Sequence, residues 1–300
     1  MMRSLLLGVV FTSVLLLAGC GGNGDASSDA ETMAEGHEGD TPTATDATRR
    51  PAIPVAGRAV TYVQTEDGEA VTGYLAAPAS PDSVLSARNL DPSENALPGI
   101  VVIHEWWGLN DNVRAASRRL AGEGYRVLAV DLYADSTAET PDRAQALMQQ
   151  ATSDPESLMA NLRAAHRYLR SESGAPRLAV LGWCFGGGMT FGAVAERPGA
   201  FAAAVPYYGT PESMTAATLE KLTTPILAHF GRQDEVVPPE AVDAFESRLA
   251  ETDADVQIYR YDAGHAFANP SGENYDPDAA STAWSRTTDF LHTHLYPSDS

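Results

Sequence analysis

The chain is poor in cysteine and almost without lysine. Its 300 residues include two cysteines, Cys20 and Cys184, and a single lysine, Lys221. Acidic residues outnumber basic ones by 40 to 20, which gives a formal net charge of -20 at pH 7. Such a polyanion repels phosphate backbones, so the composition argues against a nucleic-acid partner. With 44% hydrophobic residues, the chain is long enough to bury one sizeable core.

The N-terminus has the pattern of an export signal. "MMRSLLLGVVFTSVLLLAGC" carries one positive residue, Arg3, followed by an uncharged apolar run that ends in small residues at Cys20. The run is short for a membrane span, and its ending is typical of a secretory signal. The tetrad "LAGC" resembles the lipobox of bacterial lipoproteins, which implies a signal peptide at 1–19 and lipidation of Cys20. Gly21 then favours an outer-membrane or periplasmic-face lipoprotein of the cell envelope. The alternative is an ordinary signal, or an N-terminal membrane helix, with a chance cysteine.

Residues 20–54 are predicted to form a flexible tether. The segment is rich in Gly, Ala, Ser, Thr and acidic residues and has almost no large apolar side chains, so it cannot bury enough surface to offset its ordering entropy. Within it, His37 in "HEGD" is expected to be solvated. Residues 55–297 are predicted to form one domain.

This domain has the pattern of an α/β protein. Two alternating runs around Glu66–Glu69 predict a hairpin, and "GIVVIHE", "YRVLAVDLY", "RLAVLGW", "FAAAVPYYG", "PILAHFG" and "VQIYRYD" follow as short strands. Segments with helical periodicity separate most of them. The pattern predicts a mainly parallel sheet with helices on both faces, whose functional residues follow the strands.

Cys184 lies between a predicted strand and a predicted helix, in the pattern G-x-C-x-G. If Cys20 is lipidated, Cys184 has no partner for an intrachain disulfide, and one cysteine is a poor structural metal site. Packing and nucleophilic catalysis remain. A sharp strand-to-helix turn with small neighbours is typical of a nucleophile, and a helix N-terminus lowers the pKa of a thiol.

Three further titratable residues follow strands. Asp234 and His265 give the chain order nucleophile, acid, histidine, which is typical of α/β-hydrolases. His265 is predicted to be the base and Asp234 its orienting acid, with Glu235 and Asp262 as competitors for the acid. Glu105, beside two tryptophans, is either paired in a salt bridge or a partner of the thiol.

From about Ala59 to the C-terminus, the chain resembles the dienelactone hydrolase family. The motifs "IHEWWGLND", "VDLY", "GWCFGG", "YYG", "GRQDEVVP" and "AGHAF" stand in that family's order. The resemblance implies an α/β-hydrolase with a Cys-Asp-His triad, no cofactor and no metal. It assigns Cys184, Asp234 and His265 to the triad, and Glu105 to a glutamate that contacts the resting thiol. The implied oxyanion hole consists of the backbone N–H groups of Trp106 and Phe185.

The resemblance is incomplete at the residues that would bind the substrate. The family's founding enzymes hold a substrate carboxylate with two arginines, and Arg143 stands at the position of one. Asn269 occupies the position of the other, so half of the clamp is missing. Tyr208, in "YYG", is the third residue predicted to contact the substrate. Arg143 could also simply belong to a helix surface.

The sequence therefore predicts a lipid-anchored, cysteine-dependent hydrolase of carboxylic esters or lactones that works through a thioacyl-enzyme. Its expected partners are a small-molecule ester or lactone and, through the anchor, a membrane; a monomer is expected. One alternative is a catalytically idle α/β-hydrolase domain that binds a ligand or partner in the envelope. Another is a thiol-based redox protein, which would need a redox partner that the sequence lacks.

Overall fold

The computed structural model describes residues 32, 34, 36, 37, 39, 40, 50–64 and 70–296. The predicted signal peptide, Cys20 and the hairpin turn at 65–69 lie outside the described residues. Among the helices that are described, none combines the length and apolarity needed to cross a membrane.

The described strands form one sheet of eight. They are β1 Val55–Gln64, β2 Ala70–Pro78, β3 Gly99–Ile103, β4 Arg126–Ala129, β5 Leu178–Trp183, β6 Ala203–Tyr207, β7 Ile226–Gly231 and β8 Val256–Tyr261. Their spatial order is β1-β2-β4-β3-β5-β6-β7-β8. The strands β3 to β8 are parallel, while β2 pairs antiparallel with both β1 and β4. The predicted hairpin and mainly parallel sheet are confirmed.

Helices cover both faces of this sheet. They are α1 Pro81–Ala87, α2 Asp111–Gly122, α3 Pro141–Thr152, α4 Pro155–Arg167, α5 Phe185–Glu196, α6 Ala216–Leu219, α7 Pro239–Leu249 and α8 Pro277–Leu295. A π-helical turn, Tyr168–Glu172, continues α4. The sequence predicted a loop where α1 lies, and it did not predict the single turn of α6. Proline at the start of α1 was the missed signal, because its fixed φ suits the first helical position.

The central strands explain the continuous apolar runs of the sequence. Every residue of β3, β5, β6 and β7 is buried. Side chains alternate between the two faces, so Val101 and Ile103 join one hydrophobic cluster, while Ile100 and Val102 join the other. Such a sheet is covered on both faces, and the loops at the carboxyl ends of its parallel strands meet at one edge.

Candidate active site

Cys184 occupies a strained turn between β5 and α5. Its φ is 54°, in the left-handed region that non-glycine residues rarely adopt. Its backbone N–H donates to Tyr207 O at 3.0 Å, and its carbonyl accepts from Gly188 N at 3.1 Å. The turn therefore fixes the thiol between the end of β6 and the first turn of α5.

Glycines make this turn possible. A Cβ on Gly182 would lie within 3.0 Å of three backbone atoms of Gly186. A Cβ on Gly186 would lie 2.6 Å from His104 O and closer still to Ile103 O. The helix thus starts against the end of β3 with no room for a methyl group, as the G-x-C-x-G pattern predicts.

His265 and Asp234 form a buried pair beside the cysteine. His265 Nδ1 lies 2.9 Å and 3.0 Å from the two carboxylate oxygens of Asp234. Asp234 Oδ1 also accepts from the backbone N–H groups of Val236 at 2.9 Å and Val237 at 2.8 Å, which fixes its orientation. With Nδ1 facing the carboxylate, the ring presents Nε2 toward the thiol.

Neither of the two competing acids takes this place. Glu235 is exposed, and Asp262 accepts a hydrogen bond from Gln233 at 2.8 Å. Of the three acids considered, Asp234 is therefore the one whose carboxylate meets the histidine.

The surroundings of Cys184 favour the thiolate. Burial by itself would raise the pKa of the thiol, but the charges and hydrogen bonds of His265 and His37 outweigh it and lower the pKa to about 6. Burial opposes protonation of His265, yet the charges of Asp234 and Cys184 raise its pKa to about 10. Both shifts favour a thiolate beside an imidazolium.

Glu105 lies in the turn after β3 and is 6% exposed. Its carboxylate accepts from Asn269 Nδ2 at 2.9 Å and from Tyr208 OH at 3.4 Å. Burial raises the pKa of this carboxyl to about 8, and the charge of Cys184 contributes in the same direction. Glu105 is thus held by hydrogen bonds rather than by an arginine, and at neutral pH it is largely protonated.

The described residues between 32 and 40, here called the N-terminal segment, lie against the site. His37 was expected to be solvated, and this expectation is wrong, because its side chain is fully buried. The ring lies 4.8 Å from the ring of Trp106 and 6.0 Å from that of Trp107. Its Nε2 is 3.5 Å from Cys184 Sγ, and its Nδ1 is 2.8 Å from Asp40 Oδ2.

The segment is held by hydrogen bonds between side chains and backbone groups, which join it to the loop before α8. Asp40 Oδ1 accepts from the backbone N–H of Glu273 at 3.0 Å, and Asn274 Nδ2 donates to Gly36 O at 3.2 Å. These contacts hold the segment where the side chains of His37 and Asp40 are buried. The spacing of His37 and Asp40, three residues apart with glycines at 36 and 39, was the sequence signal for this pair.

A cavity of about 250 Å³ adjoins the site. Glu105, Tyr208 and Asn269 belong to its lining, which connects it to the catalytic region. Arg119 and Trp284 form another part of the wall, and the guanidinium lies 3.7 Å from the centre of the indole ring. The cavity thus combines aromatic surface with one positive charge.

The other site residues that the sequence predicts lie in several parts of the structure. Trp106 and Phe185 lie just beyond the ends of β3 and β5, at the same edge of the sheet as Cys184. Arg143 lies in the first turn of α3, is exposed, and is not part of the cavity wall. Asn269 is buried and bonded to Glu105 and Asn112. Arg119, Trp284 and the pair His37–Asp40 were not singled out from the sequence.

Comparisons with known proteins show the family of this chain. The profile of the dienelactone hydrolase family matches residues 85–295. The "Putative carboxymethylenebutenolidase" of Escherichia coli (strain K12) is 31% identical over 251 residues, covering 78% of this chain and 91% of that protein. Protein usf of Aquifex pyrophilus is 31% identical over 206 residues, covering 66% of this chain and 89% of its own length.

A solved structure shows the same fold. It is that of a dienelactone hydrolase-like promiscuous phosphotriesterase from metagenomic libraries, with a TM-score of 0.66 and 23% identity, and the match covers 81% of this chain and 99% of the other. The sheet is that of the α/β-hydrolases, and the profile spans most of it. The chain belongs to the dienelactone hydrolase family.

Proposed function

We propose that the protein is a cysteine-dependent hydrolase of carboxylic esters or lactones. The observation that carries this proposal is Cys184 on its strained turn, beside the buried pair of His265 and Asp234. An activated nucleophile, a base and a group that orients the base are the parts that covalent acyl transfer requires.

In the proposed reaction, the Cys184 thiolate attacks the carbonyl carbon and forms a C–S bond. The carbonyl oxygen becomes an oxyanion, which the backbone N–H groups of Trp106 and Phe185 stabilise. As the C–O bond of the ester or lactone breaks, His265 gives its proton to the leaving alkoxide. The products of this half are an alcohol and a thioester on Cys184.

Hydrolysis of the thioester completes the cycle. Neutral His265 removes a proton from water, and the resulting hydroxide attacks the thioester carbonyl. The C–S bond breaks, the acid leaves, and Cys184 returns as a thiolate beside the protonated His265. Asp234 remains ionised and keeps the ring oriented throughout.

A panel of esters and lactones tests the proposal directly. We expect turnover of several members by the purified protein and its loss after alkylation of the thiol. A background of Cys20→Ala leaves Cys184 as the only thiol of the chain, so alkylation reports on that residue alone. Turnover that survives complete alkylation would assign the chemistry to other residues.

The lowered pKa of Cys184 predicts how the rate of its alkylation depends on pH. The thiolate reacts with iodoacetamide and the thiol does not, and the pKa of this group is lowered to about 6. In the Cys20→Ala background with a chelator present, the alkylation rate should stay near its plateau at pH 7 and fall as the pH drops below about 6. After unfolding in urea, the midpoint should move up to about 8.5. Equal midpoints for the folded and unfolded protein would show that the site does not stabilise the thiolate.

The cavity makes a prediction about specificity. Arg143 is exposed, so we assign the recognition of a substrate carboxylate to Arg119, which lines the cavity. A charge-assisted contact is worth about 2 kcal/mol, so its loss lowers kcat/KM by about tenfold or more. Arg119→Gln should therefore lower kcat/KM for a free acid relative to its methyl ester by that factor.

Arg143→Gln is the matched control and should leave the ratio of the two kcat/KM values unchanged. Asn269→Arg should raise the relative rate of the acid, since it adds the positive charge that the founding enzymes of the family have there. A ratio that responds to Arg143→Gln and not to Arg119→Gln would place the carboxylate at α3 instead.

We also propose that lipidation of Cys20 anchors the protein to a membrane of the cell envelope. The support is the sequence "LAGC" after an apolar run. We expect the wild-type protein to partition with membranes and its mature N-terminus to be a lipid-modified Cys20, whereas Cys20→Ala is not lipidated. Mass spectrometry that finds an unmodified Cys20, or a mature chain starting elsewhere, would contradict the anchor.

The position of His37 over the nucleophile supports a second candidate, a catalytically idle domain that binds a ligand or partner. Such a protein keeps the fold and shows no turnover. His37→Ala separates the two candidates because it opens the site: a hydrolase gains or keeps activity on the panel, whereas an idle domain remains inactive.

A further inference from the structure

Two aspartate–histidine pairs converge on the sulfur of Cys184. His265 directs Nδ1 to Asp234, and His37 directs Nδ1 to Asp40. Each ring therefore presents its Nε2 to the space in front of the cysteine. The ligand atoms of His37, Cys184 and His265 all lie within 4.8 Å of one another.

The proposed hydrolysis requires only one of these two aspartate–histidine pairs. One histidine with its aspartate serves both proton transfers of the proposed mechanism, and it follows β8 within the sheet. The second pair belongs to the N-terminal segment, and its histidine, His37, is 147 residues from Cys184 along the chain. Its side chains are almost completely buried, at 0% exposure for His37 and 2% for Asp40. A buried ion-pairing group of this kind is costly to place unless it has a specific partner.

We infer that His37, Cys184 and His265 form a binding site for a divalent cation of the zinc class. A thiolate and two imidazoles are ligands that Zn²⁺ prefers, and three protein ligands leave a fourth position for water. With Zn–S of about 2.3 Å and Zn–N of about 2.0–2.1 Å at the tetrahedral angle, sulfur and nitrogen ligands lie about 3.5 Å apart. The distance between Cys184 Sγ and His37 Nε2 is 3.5 Å.

The outer contacts have the geometry of a metal site as well. A metal-binding histidine usually donates its other ring N–H to a carboxylate, which fixes the tautomer and makes the metal-facing nitrogen more basic. In this way Asp40 accepts from Nδ1 of His37, and Asp234 accepts from Nδ1 of His265. Asp40 is itself held by the backbone N–H of Glu273, so the outer partner is fixed too.

Cation binding would control the hydrolase that we propose above, and only this consequence depends on that proposed function. The cation occupies the electron pairs of the thiolate and of both Nε2 atoms, and binding releases the protons that those rings carried. The bound form has no free nucleophile and no base, so it is inactive. Through His37 the cation also holds the N-terminal segment at the site. Removal of the cation restores the active thiolate.

The test is binding of Co²⁺, a spectroscopic substitute for Zn²⁺, to the full-length protein with Cys20→Ala. We expect a thiolate-to-cobalt charge-transfer band, d–d bands of tetrahedral intensity, and loss of both signals when Zn²⁺ is added. His37→Ala should weaken binding at least ~100-fold, and Asp40→Asn about 10–100-fold through the outer contact. Cys184→Ala should abolish the charge-transfer band.

His292→Ala is the matched control, because His292 is exposed on α8 and should not change binding. Thermal melts of the metal-free variants establish that each is folded. Unchanged affinity in the folded His37→Ala variant, or the absence of a thiolate band in the parent protein, would overturn the site. Metal binding without ester turnover in the metal-free protein would contradict the proposed function alone, and turnover without metal binding would contradict this inference alone.

Discussion

Replacing Cys184 with alanine is expected to lower kcat/KM for any ester or lactone substrate by at least ~10⁴-fold, with the fold intact. The substitution removes the atom that forms the acyl-enzyme, and the groups around it cannot supply another nucleophile of comparable reactivity. Cys184→Ser should retain little activity, because His265 and His37 stabilise a thiolate and a serine hydroxyl is a far weaker acid.

The control for this experiment is thermal unfolding of the same variants. Cys184 contributes a small side chain to a core cluster, so alanine should change stability only modestly. Steady-state rates in the folded alanine variant equal to those of the parent protein would show that Cys184 is a packing residue, which is the alternative that the sequence left open.

Gly186→Ala is expected to destabilise the protein by about 3 kcal/mol or more, which lowers the melting temperature by roughly 6–12 °C. The new Cβ would lie 2.6 Å from the carbonyl oxygen of His104 and closer to that of Ile103, both of which are backbone atoms that cannot rotate away. The start of α5 must then move from β3, and the geometry of Cys184 changes with it. Differential scanning calorimetry measures the first effect, and the loss of turnover measures the second.

Gly192→Ala, on the same helix, is the matched control. A Cβ there would meet only Met159 Cε at 3.6 Å, which is an ordinary contact. Because alanine is the better helix former, this variant should be equal to the parent or up to about 1 kcal/mol more stable. Equal stability of the two variants would show that the close approach of α5 to β3 does not constrain the fold.

Much of the fold could be predicted because its signals are local. Buried parallel strands give continuous apolar runs, and β3, β5, β6 and β7 all lie where such runs occur. The positions of Cys184, Asp234 and His265 after strands were equally readable, since a parallel sheet brings the carboxyl ends of its strands to one edge. The hydrogen bond between Asp234 and His265 follows from that topology.

What could not be predicted depends on contacts between distant parts of the chain. The composition of residues 20–54 indicates a solvated tether, and nothing local shows that His37 packs against Trp106 and Trp107. Its burial rests on Asp40, Glu273 and Asn274, and the last two are more than 230 residues away. The role of Arg119 could not be predicted for a similar reason. Arg119 lies on α2 and Trp284 on α8, and the two helices form the cavity wall only in the folded chain.

The central claim is that catalysis proceeds through a thioester on Cys184, and trapping that intermediate tests it most directly. The protein is mixed with a slowly hydrolysed ester, quenched in acid within one turnover, digested and analysed by mass spectrometry. The account predicts that the peptide containing Cys184 gains the mass of the acyl group, and that the corresponding peptide of Cys184→Ala gains none. An acyl group on a different residue, or turnover with no adduct on Cys184 at any quench time, would contradict it.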